Sequence, residues 1–190
     1  MKLDTKKTIY VGFAFLIILM FWQVYDNIVA KMLINTFGFN QTFSGVILAL
    51  DNVLALVLLP FFGVLSDRTK TKYGKRTPFI VIGVIISALL FIGVAVADNY
   101  QRIAVEEANL PVVEDIKEGN EVVGYSYGDE DFYPETGQDL QTAKNNANEA
   151  RRNDVWDFTK NNVANLIIFL GVLLLVLVAM AAYRSPAVSL

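Results

Sequence analysis

Two aspartates sit inside long apolar runs, Asp26 within Phe13–Ile34 and Asp51 within Val46–Leu65. An ionised side chain at the middle of a bilayer costs roughly 2.5–3.5 kcal/mol on insertion scales, so each needs a protein-lined or water-lined setting. At 100° per residue, Trp22, Gln23, Asp26 and Asn27 share one side of a helix, with Lys31 at the margin; Ser44, Asp51 and Ala55 line up on another. That combination suits a sugar. Carboxylates and amides bond hydroxyl groups, and an indole face accepts the C–H face of a pyranose ring. Membrane-embedded carboxyls also serve as proton carriers, so Asp26 or Asp51 could take up a proton on one side and release it on the other. A plainer reading makes Asp26 and Asn27 interhelical hydrogen-bonding groups, Trp22 a packing residue and Lys31 a side chain that snorkels to the interface.

The elements that must hold these groups are long helices. Tyr10–Asn35, Phe43–Ser66, Pro78–Asp98 and Val163–Tyr183 are each apolar enough and long enough to cross a membrane. With 54% hydrophobic residues and a mean hydropathy of +0.43, the chain is too apolar for an ordinary soluble domain. The N-terminal run continues past Tyr25 without a small-x-small cleavage site, which argues against a signal peptide. Phe37–Asn40 reads as a tight turn. Asn40-Gln41-Thr42 fits a glycosylation sequon, but beside the membrane it reads better as a helix start, with Thr42 as the cap. Counting back from that turn at 1.5 Å per residue puts Asp26 and Asp51 at one level, about 15 Å deep. Pro78 suits the first turn of the third helix.

Charge sets the orientation. Arg68, Lys70, Lys72, Lys75 and Arg76 face one acid, Asp67, in the short loop at 66–78, and short basic loops stay in the cytoplasm. The N-terminus is then cytoplasmic, and the polar stretch 99–160, with 14 acids and 6 bases, is extracellular. Within it, Val112–Lys117, Gly119-Asn120 and Val122–Tyr127 predict a hairpin, and Gln138–Phe158 a polar helix leading into the membrane. Asp129-Glu130-Asp131 lacks EF-hand spacing and reads as a solvated acidic turn. With no cysteine or histidine, disulfides and the usual Cys/His metal sites are out. The segregated charge argues against nucleic acid as a partner, and no nucleophile, metal or phosphate-loop motif points to an enzyme.

Gly63, Asp67-Arg68 and Gly74-Lys75-Arg76, between a second and a third spanning helix, resemble the signature loop of the major facilitator superfamily. The longer form here, ending in Gly-Lys-Arg-Thr-Pro-Phe-Ile, is similar to that of the glycoside-pentoside-hexuronide cation symporters and the related sucrose transporters. The resemblance covers the membrane segments and the loop, not the acidic insertion. It implies twelve helices in two halves with substrate at mid-membrane, a conformational latch in which Asp67 faces a helix N-terminus of the second half while the bases pair with nearby acids, and close helix approach at Gly63. It also implies a substrate-cavity role for Arg184, whose alternative is a positive-inside anchor. The sodium-coupled members place two acids at positions that align with Ala55 and Leu59. Those oxygens are missing here, so proton coupling, or facilitated diffusion, is expected ahead of sodium, with no cofactor.

The expected fold class is an all-α membrane protein: four transmembrane helices of a major-facilitator N-terminal bundle, with helices one to three in 1–98, a polar extracellular insertion at 99–160 and helix four in 161–190. A chain ending on Ala187-Val188-Ser189-Leu190 reads as interrupted. The expected function is thus the N-terminal fragment of a multi-pass secondary transporter in the cell membrane, carrying sugar with protons by alternating access. Its partners would be the sugar, the lipid bilayer and the missing C-terminal helices. The alternative is a non-transporting four-helix membrane protein that displays the insertion as a binding loop.

Overall fold

The computed structural model describes residues 5–69 and 76–188. Five helices and a small sheet follow in the order α1 (Thr5–Asn35), α2 (Gln41–Arg68), α3 (Thr77–Glu107), β1 (Val113–Glu118), β2 (Glu121–Tyr127), β3 (Glu130–Phe132), α4 (Leu140–Asn161) and α5 (Val163–Val188). Among the described residues, four stretches are long and apolar enough to cross a membrane: Phe15–Asn35, Gln41–Arg68, Thr77–Glu107 and Val163–Ser185. Their outward faces carry large apolar side chains such as Leu19, Leu56, Val57 and Leu89, all more than half exposed. In water that surface would be a liability; against lipid it is the expected one.

One compact unit comprises α1 to Lys31, Gly45–Val96 and the chain from Phe169 onward. Aromatic contact joins α1 to α3, with the Phe91 ring centre 5.5 Å from Phe21 and 6.3 Å from Tyr25. Small residues join α3 to α5. A Cβ on Gly83 would come within 2.8 Å of the Tyr183 Cβ, and one on Gly93 within 3.3 Å of a Val172 methyl. Tyr25, Val176, Met180 and Tyr183 form the buried centre. Pro60 stands inside α2 and removes one backbone donor from that helix.

The second unit comprises Met32–Ser44 and Ala97–Ile168. The α1–α2 turn ends α1 with Gly38 in the left-handed region (φ 75°), and the Phe39 amide folds back to donate to the Leu33 carbonyl at 2.9 Å. Asn40, not Thr42, caps α2: its side-chain oxygen accepts from the Phe43 amide at 2.7 Å. An Asx side chain just ahead of the helix reaches the N3 amide, whereas Thr42 already lies in the first turn.

The anticipated hairpin is present, β1 pairing antiparallel with β2 through a Gly119 turn and a bulge at Ile116/Lys117. A third strand, β3, pairs with β2 across the acidic turn. Helix α4 covers this sheet. It starts at Asp139, whose carboxylate accepts from the Thr142 amide, and it places Ala143 and Ala147 against Tyr125, ringed by Val113, Val122, Phe132 and Leu140.

Helix α3 runs on to Glu107, nine residues past Asp98. A buried polar cluster marks the extension. Gln101, fully buried, donates to Thr159 of α4 at 3.0 Å and accepts from Asn165 of α5 at 3.1 Å.

Candidate transport site

Trp22, Asp26 and Arg184 are brought together. Asp26 lies one turn beyond Trp22 on α1 and accepts a hydrogen bond from its side chain. Arg184 reaches across from α5, its guanidinium carbon 4.2 Å from the centre of the Trp22 ring, and its charge attracts the Asp26 carboxylate. An arginine over an indole face is worth roughly 0.5–2 kcal/mol, more as water is excluded. Leu54, Leu58, Leu59, Leu177, Met180 and Ala181 complete the wall around a gap of about 10 Å³. That space holds a water molecule at most. In this conformation the site is closed over its own aromatic ring.

Gln23 and Asn27 are exposed, and the Asn27 amide donates back to the Gln23 carbonyl at 2.7 Å, so both polar ends of the predicted stripe turn outward from the cluster. Asp51 lies ten residues into α2 and Asp26 nine residues before the end of α1, about 15 and 14 Å from their helix ends. The Asp51 side chain lies outside the described set.

The helix approach implied at Gly63 has a partner. A Cβ there would sit 3.0 Å from the Ser185 hydroxyl, which donates to the Leu59 carbonyl at 2.7 Å. Glycine keeps α2 and α5 close enough for that bond, one residue beyond Arg184. In the basic loop, Asp67 takes both contacts from Arg76, Nη2 at 2.8 Å and Nε at 3.1 Å, which ties the end of α2 to the start of α3. Arg68 is exposed. Gly74 and Lys75 lie outside the described residues.

A further acid, Asp98, marks only a helix end in the sequence. Asp98 accepts from the Thr36 side chain, and its Oδ1 is buried with no hydrogen-bond partner. The signal available was an aspartate ending the run Val94-Ala95-Val96-Ala97, which marks a boundary as readily as an embedded group.

These features are those of a multi-pass membrane protein. The family model described as MFS/sugar transport protein matches residues 10–104, half of the chain, and the chain belongs to that family. Over 69 residues it is 38% identical to the sucrose transport protein SUC3 of Arabidopsis thaliana, which takes in 35% of this chain and 12% of that protein. Over 64 residues it is 33% identical to the "Putative glycoside/cation symporter YagG" of Escherichia coli (strain K12), which takes in 34% of this chain and 14% of that protein. The chain thus matches these relatives over about an eighth of their length. No solved structure matches it. Trp22, Asp26, Asp51 and the 66–78 loop fall inside the family match, whereas the sheet, α4 and Arg184 fall outside it.

Proposed function

We propose that this chain forms part of a sugar:proton symporter working by alternating access, with Trp22, Asp26 and Arg184 at the substrate and proton pathway and Asp51 as a second acid beside it. The observation that carries the reading is the stack of Arg184 on Trp22 with Asp26 bonded to the same indole. The three groups compete. A sugar that stacks on Trp22 must displace the guanidinium, and a proton on Asp26 removes the charge that draws Arg184 toward α1. Sugar and proton therefore act on one contact, which is the coupling that symport needs. Proton coupling is favoured over sodium because Ala55 and Leu59 stand where the sodium-coupled members carry acids, and neither side chain supplies an oxygen.

On this reading the N-terminus and the basic loop are cytoplasmic, and 99–160 is extracellular. The Asp67–Arg76 pair, with Gly63, Arg68, Gly74 and Lys75, belongs to the latch that changes as the carrier opens. The acidic insertion has its own sheet-and-helix core, the one feature on the side of a display module.

The test is uptake of labelled glycosides by proteoliposomes carrying the intact gene product. A pH gradient, acid outside, should drive accumulation in the wild type and not in Asp26→Asn, which should still exchange sugar across the membrane. Unchanged accumulation by Asp26→Asn would remove Asp26 from the proton pathway. No uptake of any glycoside, pentoside or hexuronide by the wild type would leave the display module standing.

A further inference from the structure

The turn between α1 and α2 is held by the insertion. Residues Met32–Ser44 belong to the same compact unit as Ala97–Ile168, and within that unit the grip on the turn comes from α4. The Phe39 ring centre lies 4.8 Å from that of Trp156, and the Lys160 amino group is 5.7 Å from the centre of the same Trp156 ring. Gly38 meets the Arg152 carbonyl and the Trp156 amide with no room for a Cβ, and Phe37 is fully buried. In apolar and aromatic contact this is a strong joint.

Its polar side is poor. Among the described residues, two buried side-chain atoms lack a hydrogen-bond partner, Asp98 Oδ1 and Arg152 Nε, and both residues touch this turn. Asp98 stands against Thr36, and Arg152 lies with its carbonyl over Gly38. Buried polar atoms left unpaired oppose the state that buries them, and parting the turn from α4 is the motion that would admit water to both. The contact of α4 with α3 has no such defect. There Gln101 donates to Thr159 at 3.0 Å and accepts from Asn165 at 3.1 Å, so both ends of its amide are used. The α3–α4 joint is the permanent one, and the joint between the turn and α4 is the one built to give.

We propose that α4 is a releasable clamp on the outer turn of α1 and α2, docked while the transport pathway is closed and undocked when it opens outward. The timing of release rests on the alternating-access reading; the contact itself does not. Helix α1 is unbroken from Thr5 to Asn35 and carries Trp22 and Asp26, and α2 follows from Gln41 with Asp51. A clamp on the turn between them acts on both helices at their shared end. Docking stabilises the closed state, so loosening the clamp shifts the population toward the open one.

The chain has no cysteine, so spin labels on Gln41→Cys/Asn146→Cys, both exposed positions, report the separation of the turn from α4 without background. Double electron–electron resonance on the intact gene product in nanodiscs should give two distances, one docked and one released. Trp156→Ala should raise the ratio of released to docked about fivefold, the equivalent of one lost aromatic pair. Phe39→Leu should act in the same direction from the other partner, and Trp156→Phe, which keeps a ring, should stay near the wild type, with circular dichroism as the check on folding. A single distance in the wild type and both loosened variants, or a ratio indifferent to them, would overturn the clamp whatever a transport assay shows. Where the wild type carries a glycoside, Trp156→Ala should also lower the external concentration at half-maximal exchange by about the same factor. An unchanged value beside a shifted ratio would overturn the link to transport. A wild type that carries no glycoside would sink the symport reading instead, and the distance measurement alone would then judge the clamp.

Discussion

Arg184 lies over the ring of Trp22 at 4.2 Å, so the fourth spanning helix closes the indole face that a sugar would use. Lysine cannot reproduce that contact, because a compact ammonium lacks the planar stack of a guanidinium. Arg184→Lys is expected to lower thermal stability in detergent by the equivalent of about 1 kcal/mol. In a Trp156→Phe background, where Trp22 is the single remaining tryptophan, the same change should alter Trp22 emission. Saturating substrate added to the Trp156→Phe protein should shift emission in the same direction as Arg184→Lys. An emission spectrum indifferent to both would mean that Arg184 does not sit on the ring in solution.

The polar cluster between α3, α4 and α5 makes a different prediction. Gln101 uses both ends of its amide, toward Thr159 and Asn165, in a site with no access to water. Gln101→Leu fits the volume but strips both partners of a bond, and a buried polar group left unsatisfied costs roughly 1–3 kcal/mol. Thr159 keeps its bond to the Val155 carbonyl, so the loss should fall mainly on Asn165. Thermal unfolding should show Gln101→Leu destabilised, and Gln101→Leu/Asn165→Leu partly restored. A double variant no better than the single would show that the bonds are not what holds Gln101 in place.

Gly38 is the tightest point of the second unit. Its φ of 75° is costly for any other residue, and a Cβ would fall 2.7 Å from the Arg152 carbonyl oxygen and closer still to the Trp156 amide nitrogen, both rigid parts of α4. Gly38→Ala should therefore destabilise by more than the roughly 1 kcal/mol of an ordinary left-handed glycine replacement. Gly119→Ala offers the control, since it has φ of 64° but open space around it. Comparable losses at the two positions in a thermal melt would show that the α4 contact carries no weight.

The two classes of feature, periodic and tertiary, differ in how far the chain reveals them. Helix position follows from apolar run length, and the 113–127 hairpin from alternation around Gly119-Asn120, because those signals are local. The sequence points to Thr42 as readily as to Asn40 for the α2 cap because both residue types cap helices, and only backbone geometry decides which one precedes the first turn. Arg184 could not be paired with Trp22 from the sequence, since 162 residues separate them and nothing local fixes the rotation of α5. The short strand β3 is three residues long, Glu130–Phe132, and mostly acidic. Its pairing to β2 is a tertiary outcome that overrides poor strand propensity.

Outside the membrane segments, Tyr127 gives a pH-dependent prediction. Burial in the sheet-helix core pushes its phenol up to about 12 from 10, aided by the hydrogen bond it donates to the Asp154 carboxylate at 2.9 Å and by that group's negative charge. The folded state thus holds the phenolic proton more tightly than the unfolded chain. The resulting stability is fully present below pH 10 and is lost as pH rises from 10 through 12, with about 1 kcal/mol gone by pH 11. Tyr127→Phe should flatten this part of the profile, and Asp154→Asn should reduce its slope while burial keeps part of it. Chemical unfolding at pH 9 and 11, followed through Trp156 fluorescence in a Trp22→Phe chain, measures the difference. Equal pH dependence with and without the phenol would show that Tyr127 is not buried against Asp154.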